Sequence, residues 1–172
     1  FALVTDTHLG KPGADYVKRM ATAVDEINAS PSAFTVFCGD LVDRGEVEAS
    51  QKLYPKWVEI AKGLKAEWTA VPGNHDWYNN LWGAYFDYFG ASAGIPGLGY
   101  YSYDLGGWHV VALNSNLHGN AGSPQYEWAR ADLAATRSAC IIALWHHPRY
   151  SSGPGGNDTT MRDVWRLLQE SG

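Results

Sequence analysis

Short apolar runs alternate along the chain with stretches whose apolar residues recur every three or four positions. The runs Ala2 to Thr5, Phe34 to Cys38, Trp68 to Val71, Tyr100 to Leu105, Trp108 to Leu113 and Cys140 to Trp145 have the composition of strands buried on both faces. Between them, Val17, Met20, Ala21, Val24 and Ile27 fall on one helical face, as do Leu53, Trp57, Ile60 and Leu64 after Glu46. Ser123 followed by Pro124 predicts a capped helix start leading into Tyr126 to Ala135, and Asp158-Thr159 introduces a further helix over Met161 to Leu168. Gly106-Gly107, between two strand patterns, predicts a hairpin and hence an antiparallel pair in the middle of the sheet. Strands alternating with helices in this way define an α/β domain, and 172 residues suit a single domain spanning 1–172.

Composition narrows the function classes. A formal net charge of −5 lacks the basic stripe of a nucleic-acid binder, and no apolar run reaches the roughly 18 to 20 residues that span a bilayer, so neither nucleic acid nor membrane is an expected partner. A small phosphorylated substrate stays compatible with that charge, because bound metal ions set the local field. Oligomeric state is not readable. The chain starts on a strand without Met, so a removed leader is compatible with it and the compartment stays open. Cys38 and Cys140 lie in apolar runs and read as buried free thiols rather than a disulfide. Of eight tryptophans, Trp57, Trp68, Trp108, Trp128 and Trp165 fit apolar faces and read as packing.

Chemistry collects where the strands end. In open α/β sheets ligands bind beyond the carboxyl ends of strands, and four polar clusters occupy such places: Asp6-Thr7-His8, Gly39-Asp40-Leu41-Val42-Asp43-Arg44-Gly45, Gly73-Asn74-His75-Asp76 and His146-His147-Pro148. Each alone is compatible with an ordinary turn, but their recurrence in order is not. Asp, His and Asn suit Mn, Fe or Zn, and a carboxylate can bridge two ions, so a mixed set points to a binuclear site. Strand alternation in Asp6-x-His8 would turn both side chains to one metal, and Gly39 and Gly73 would let the backbone leave the sheet tightly.

These motifs, which span nearly the whole chain, resemble those of the calcineurin-like metallophosphoesterase superfamily: Asp-x-His, Gly-Asp-x-x-Asp, Gly-Asn-His-Asp and a later His after a strand. The resemblance implies a four-layer αββα sandwich and a phosphoric ester hydrolase with two divalent or trivalent metal ions, Mn, Fe or Zn. It implies that Asp6 and His8 bind one ion, Asp40 bridges, and Asn74 and His146 bind the second. His75, not a ligand, would protonate the leaving oxygen, with Asp76 orienting its imidazole, and Arg44 would bind substrate phosphate. The expected reaction is in-line attack by a metal-bound hydroxide. Asp43 stands where purple acid phosphatases carry a metal-binding Tyr. The stretches Leu113 to Asn116, Ala121 to Gln125 and Trp145 to Gly153 are similar to secreted bacterial phosphatases, which favours phosphomonoesters and a secreted or periplasmic setting. A cyclic-nucleotide phosphodiesterase is the alternative within enzymes. The aryl-rich loop Trp77 to Phe89 is unlike protein phosphatases.

The family's final Gly-His-x-His motif does not follow the helix ending near Glu170, so the resemblance implies a C-terminally incomplete domain whose longer reading frame continues into an apolar strand and that motif. A catalytically impaired remnant acting only in binding is the corresponding alternative. Of the other histidines, His109 reads as a structural strand residue, His118 as a loop residue able to approach substrate, and His147 as a neighbour able to replace or assist His146.

Overall fold

The computed structural model describes residues 1–44, 52–77, 83–153 and 155–171. Three parallel strands, β1 (Ala2–Val4), β2 (Phe34–Cys38) and β3 (Glu67–Val71), form one sheet in sequential order, with Val36 opposite Leu3 and Thr69. The second sheet holds β4 (Tyr101–Leu105), β5 (Trp108–Ala112) and β6 (Cys140–Leu144); β4 runs antiparallel and β6 parallel to β5. The β4–β5 hairpin, expected mid-sheet, lies at one edge of this second sheet, because the apolar runs divide between two sheets.

Period-two alternation decides what each sheet faces. Val36, Cys38 and Val71 point inward to Val110, Ala112 and Leu144, making a buried layer between the sheets. Phe37 and Ala70 turn outward onto helices α1 (Tyr16–Ala29), α2 (Leu53–Ala61) and α3 (Gly83–Phe89). On the far side, Val111 and Leu113 pack against α4 (Pro124–Ala135) and α5 (Arg162–Ser171). Helix, sheet, sheet and helix therefore stack in four layers, the αββα arrangement.

Local chemistry explains the helix boundaries. The Asp15 carboxylate accepts from Lys18 N–H at the start of α1, and Ser123 Oγ accepts from Tyr126 N–H ahead of Pro124 in α4. Helix α5 starts after a turn in which Asp158 accepts from Thr160 N–H. Three expectations are corrected. The aryl-rich segment is not all loop, because Gly83–Phe89 is helical; its residues 78–82, like Glu46 and Gly45, lie outside the described residues. Cys140 is exposed as the first residue of β6, although both thiols are free as expected. Trp108, at the hairpin mouth, is exposed rather than core.

Candidate metal centre

The loops that leave β1 and β2 run side by side beyond the sheet. Asp6 N–H donates to Gly39 O, His8 N–H to Asp40 O, Leu9 N–H to Leu41 O and Asp43 N–H to Leu9 O, which closes with a parallel bridge between Leu9 and Val42. Strand β1 itself ends at Val4, so strand alternation does not aim Asp6 and His8. Both adopt left-handed backbone, with φ of 56° and 42°, and Asp40 does the same at 54°. Such a conformation costs a non-glycine residue about 1 kcal/mol or more, and three together at one spot mark a constrained site. The kinks bring His8 Nε2 within 3.5 Å of Asp6 Oδ1 and 3.6 Å of Asp40 Oδ2.

The β3 loop reaches the same spot by close approach. A Cβ on Gly39 would lie 2.7 Å from Gly73 Cα and from His146 Nδ1, and a Cβ on Gly73 would run into Asp40 Oδ1 and the Asp40 backbone nitrogen. Gly39 does turn, at φ 82°, but the work of Gly73 is to admit the Asp40 carboxylate. His75 N–H then donates to Asp40 Oδ1 at 2.8 Å.

Two groups of ligand-type atoms result, each within 4.8 Å: His8, Asp40 and His75, and Asp6, Asp40 and His146. Asp40 belongs to both. The sequence pairing sets Asp6 with His8 on one ion; the two side chains do lie 3.5 Å apart, and the two groups add His75 beside His8 and His146 beside Asp6. Asn74 joins the second group, its Oδ1 3.1 Å from His146 Nε2. His146 enters from the other sheet at the end of β6, where Nδ1 donates to Cys38 O at 2.7 Å. A carbonyl only accepts, so Nδ1 carries a hydrogen; Nε2 faces the acceptors Asn74 Oδ1 and Asp40 Oδ1, so it too is protonated here and is the nitrogen an ion would take by displacing that proton. Nδ1 of His8 is buried without a hydrogen bond. The donor chemistry, the shared carboxylate and the imidazole held through its Nδ1 fit a pair of Mn, Fe or Zn ions.

Electrostatics agree. Burial opposes charge on His146, yet the hydrogen bond and charge of Asp40 raise its pKa to about 9. Burial likewise opposes ionisation of Asp40, but its contacts with His146 and His75 leave it below the ordinary carboxylate value. The pocket of carboxylates thus draws positive charge to one place.

Asp76 does not orient His75. Its carboxylate, 1% exposed, accepts from Gly73 N–H at 3.0 Å, Leu41 N–H at 3.1 Å and the Tyr54 hydroxyl at 3.0 Å, which ties the β2 and β3 loops together. Burial pushes its pKa up to about 6 against the Gly73 and Leu41 N–H groups. The His75 imidazole instead donates from Nδ1 to the Asp43 carbonyl, and the Asp43 carboxylate lies 3.5 Å from His8 Nδ1 and 3.8 Å from His75 Nδ1. Spacing in Gly-Asp-x-x-Asp exposes Asp43 as a site residue but does not say which imidazole it meets. Arg44 is exposed and follows directly. His147 bonds Ser115 Oγ at 2.8 Å, and both it and the exposed His118 lie outside the two groups.

Comparison with known proteins follows the same lines. The family model for calcineurin-like phosphoesterase matches residues 1–172. Purple acid phosphatase 18 of Arabidopsis thaliana is 24% identical over 169 residues, covering 88% of this chain and 38% of that protein. A probable cyclic nucleotide phosphodiesterase of Rhodococcus erythropolis is 26% identical over 157 residues, covering 84% and 50%. In fold, a purple acid phosphatase from yellow lupin (Lupinus luteus) seeds superimposes with a TM-score of 0.77 at 18% identity, over 98% of this chain and 35% of that one. The chain thus spans half or less of the length of these relatives, and it belongs to the calcineurin-like phosphoesterase family.

Proposed function

We propose that this calcineurin-like phosphoesterase chain hydrolyses phosphate esters at a two-metal centre, phosphomonoesters before diesters. The observation that carries the reading is the sharing of Asp40 between two groups of ligand atoms. Asp6, His8, Asp40, Asn74 and His146 would hold the ions, which when bound supply Lewis-acid polarisation and charge neutralisation at a phosphoryl group. The protein's own residues do the rest. Because Nδ1 of His75 donates to the Asp43 carbonyl, its Nε2, 3.9 Å from Asp40 Oδ2, is the atom turned toward the site. Protonated there, it donates to the leaving oxygen as the ester bond breaks. Arg44 contributes a planar guanidinium that matches two phosphate oxygens. Asp76 takes no part in proton transfer; it holds the loops.

The likeness to a cyclic nucleotide phosphodiesterase over 84% of the chain favours a second reading, in which the substrate is a phosphodiester. Parallel hydrolysis of p-nitrophenyl phosphate and bis(p-nitrophenyl) phosphate with added Mn²⁺ or Zn²⁺ separates them, with Asp40→Asn as control. The expected result is faster monoester turnover, reduced about 100-fold or more in Asp40→Asn. Faster diester turnover would move the assignment to the second reading. A folded, Mn²⁺-loaded chain that turns over neither ester would refute catalysis and leave a binding role.

A further inference from the structure

Two side chains on α2 reach the ligand loops from beneath. Tyr54 and Trp57, three residues apart and so on one helical face, are both fully buried. Their rings sit in an aromatic cluster: Trp57 meets Phe37 edge-on at 4.7 Å and Trp68 at 5.3 Å, while Tyr54 meets Phe89 at 5.6 Å. Yet each directs its polar atom away from that cluster. The Trp57 indole N–H donates to Thr7 Oγ at 2.9 Å, and Thr7 Oγ donates onward to Leu41 O at 3.0 Å. Thr7 stands between Asp6 and His8, and Leu41 follows Asp40. The Tyr54 hydroxyl donates to Asp76, which also accepts from Val42 N–H and from Leu41 and Gly73 N–H, the residues flanking Asp40 and Asn74.

We infer that α2 is a positioning element of the metal centre, in which Trp57 sets the Asp6/His8 loop against Asp40 and Tyr54, through Asp76, sets the Asp40 loop against Asn74 and His75. The inference rests on the two-metal reading. Its physical basis is that the ligand loops hold left-handed residues and nearly touching glycines, conformations that persist only where the surroundings over-determine them. A rigid aromatic base with one donor aimed at each loop provides that constraint without touching a ligand atom. Partners of metal ligands that fix their orientation are worth roughly 10- to 100-fold in metal affinity; α2 acts one contact further out, so its donors are expected at the lower end.

The test is Mn²⁺ affinity by isothermal titration calorimetry on the chain and its Tyr54→Phe and Trp57→Phe variants. Tyr85→Phe is the control: Tyr85 is as buried and packs edge-on against Tyr54, but its hydroxyl bonds Ala70 O within β3 and no group of the ligand loops. Tyr54→Phe and Trp57→Phe are expected to weaken Mn²⁺ binding about 10-fold, whereas Tyr85→Phe lowers the melting temperature and leaves the affinity alone. Should the α2 variants fold poorly, Thr7→Val and Thr7→Ser read the same contact from the loop side. Serine retains the oxygen and should keep the affinity; valine, of similar shape, should lose it. Unchanged affinity in the variants, or an equal loss in Tyr85→Phe, overturns the positioning role alone. Wild-type chain that binds no Mn²⁺ overturns the two-metal reading and this inference with it.

Discussion

His109 can be put to a quantitative test that owes nothing to the metal centre. Its ring is buried in β5, with Nδ1 2.8 Å from Asp104 Oδ1 on β4 and Nε2 2.8 Å from Asp132 Oδ2 on α4. Two carboxylates facing two ring nitrogens require two N–H donors, so the ring is an imidazolium. Burial opposes that charge, and the hydrogen bonds the ring donates to Asp132 and Asp104 overcome it, raising the pKa above the ordinary 6.5. A pKa raised by folding means stability fully present below 6.5 and lost as pH rises through the raised folded value. The Asp132 side chain is 19% exposed and also accepts from Ser102 Oγ; its charged hydrogen bond contributes about 1.5–3 kcal/mol. Asp104, 70% exposed and also bonded by Ser138, adds about 0–1 kcal/mol after screening. His109→Gln should therefore cost about 2 kcal/mol near pH 5.5, a fall of roughly 4–8 °C in Tm for a domain of this size. Near pH 9.5 the gap to wild type should shrink, because neutral imidazole turns a lone pair toward one carboxylate. Thermal melts of both proteins at the two pH values read this directly, and other titrating groups cancel in the difference. A gap as large at high pH as at low pH would refute the imidazolium clamp.

Three further outcomes are expected. Gly73→Ala drives a methyl into the Asp40 carboxylate and backbone, so it should cost about 1–3 kcal/mol in urea unfolding and weaken Mn²⁺ binding; retained stability and affinity would show that the loops part freely. Ser123→Ala removes the oxygen that accepts from Tyr126 N–H and should lower stability by about 1 kcal/mol, measured as a Tm shift; no shift would mean that the cap is made by water instead. Burial holds the Cys38 thiol up to about 11 while Cys140 is exposed, so a thiol reagent at neutral pH should label one site, abolished by Cys140→Ser; labelling of Cys38 in the folded protein would contradict its burial.

The strands and the paired helical faces were legible because burial imposes a period, and all six runs became strands to within a residue of the expected ends. Helix α3 was hidden: a segment dense in aromatics has no polar face to mark the helical period. Partition into two sheets was also outside what periodicity carries, since a buried strand reads alike in either. At the site, ligand types and order were readable, and His146, Asn74 and Asp40 do meet. Hydrogen-bond direction was not. Asp76 follows His75 in sequence, yet it is drawn to backbone N–H groups of two loops, because a fully buried carboxylate needs several donors. Trp57 looked like packing because a sequence shows a ring's size and not where its N–H is aimed.

The two sheets are built from successive stretches of chain, with β1 to β3 complete by Val71 and β4 to β6 beginning at Tyr101. Contacts within each sheet therefore close over modest loops, while contact between the sheets joins residues farther apart in sequence, the kind of contact that slows folding. The ligand inventory divides unevenly across that seam. Of the proposed ligands, Asp6, His8, Asp40 and Asn74 belong to the first stretch; His146 alone arrives with the second, docking 108 residues away in sequence on the carbonyl of Cys38. During synthesis the first half would emerge with four of the five proposed ligands and without His146. On the two-metal reading, full-strength ion capture would then report that both halves have folded and docked.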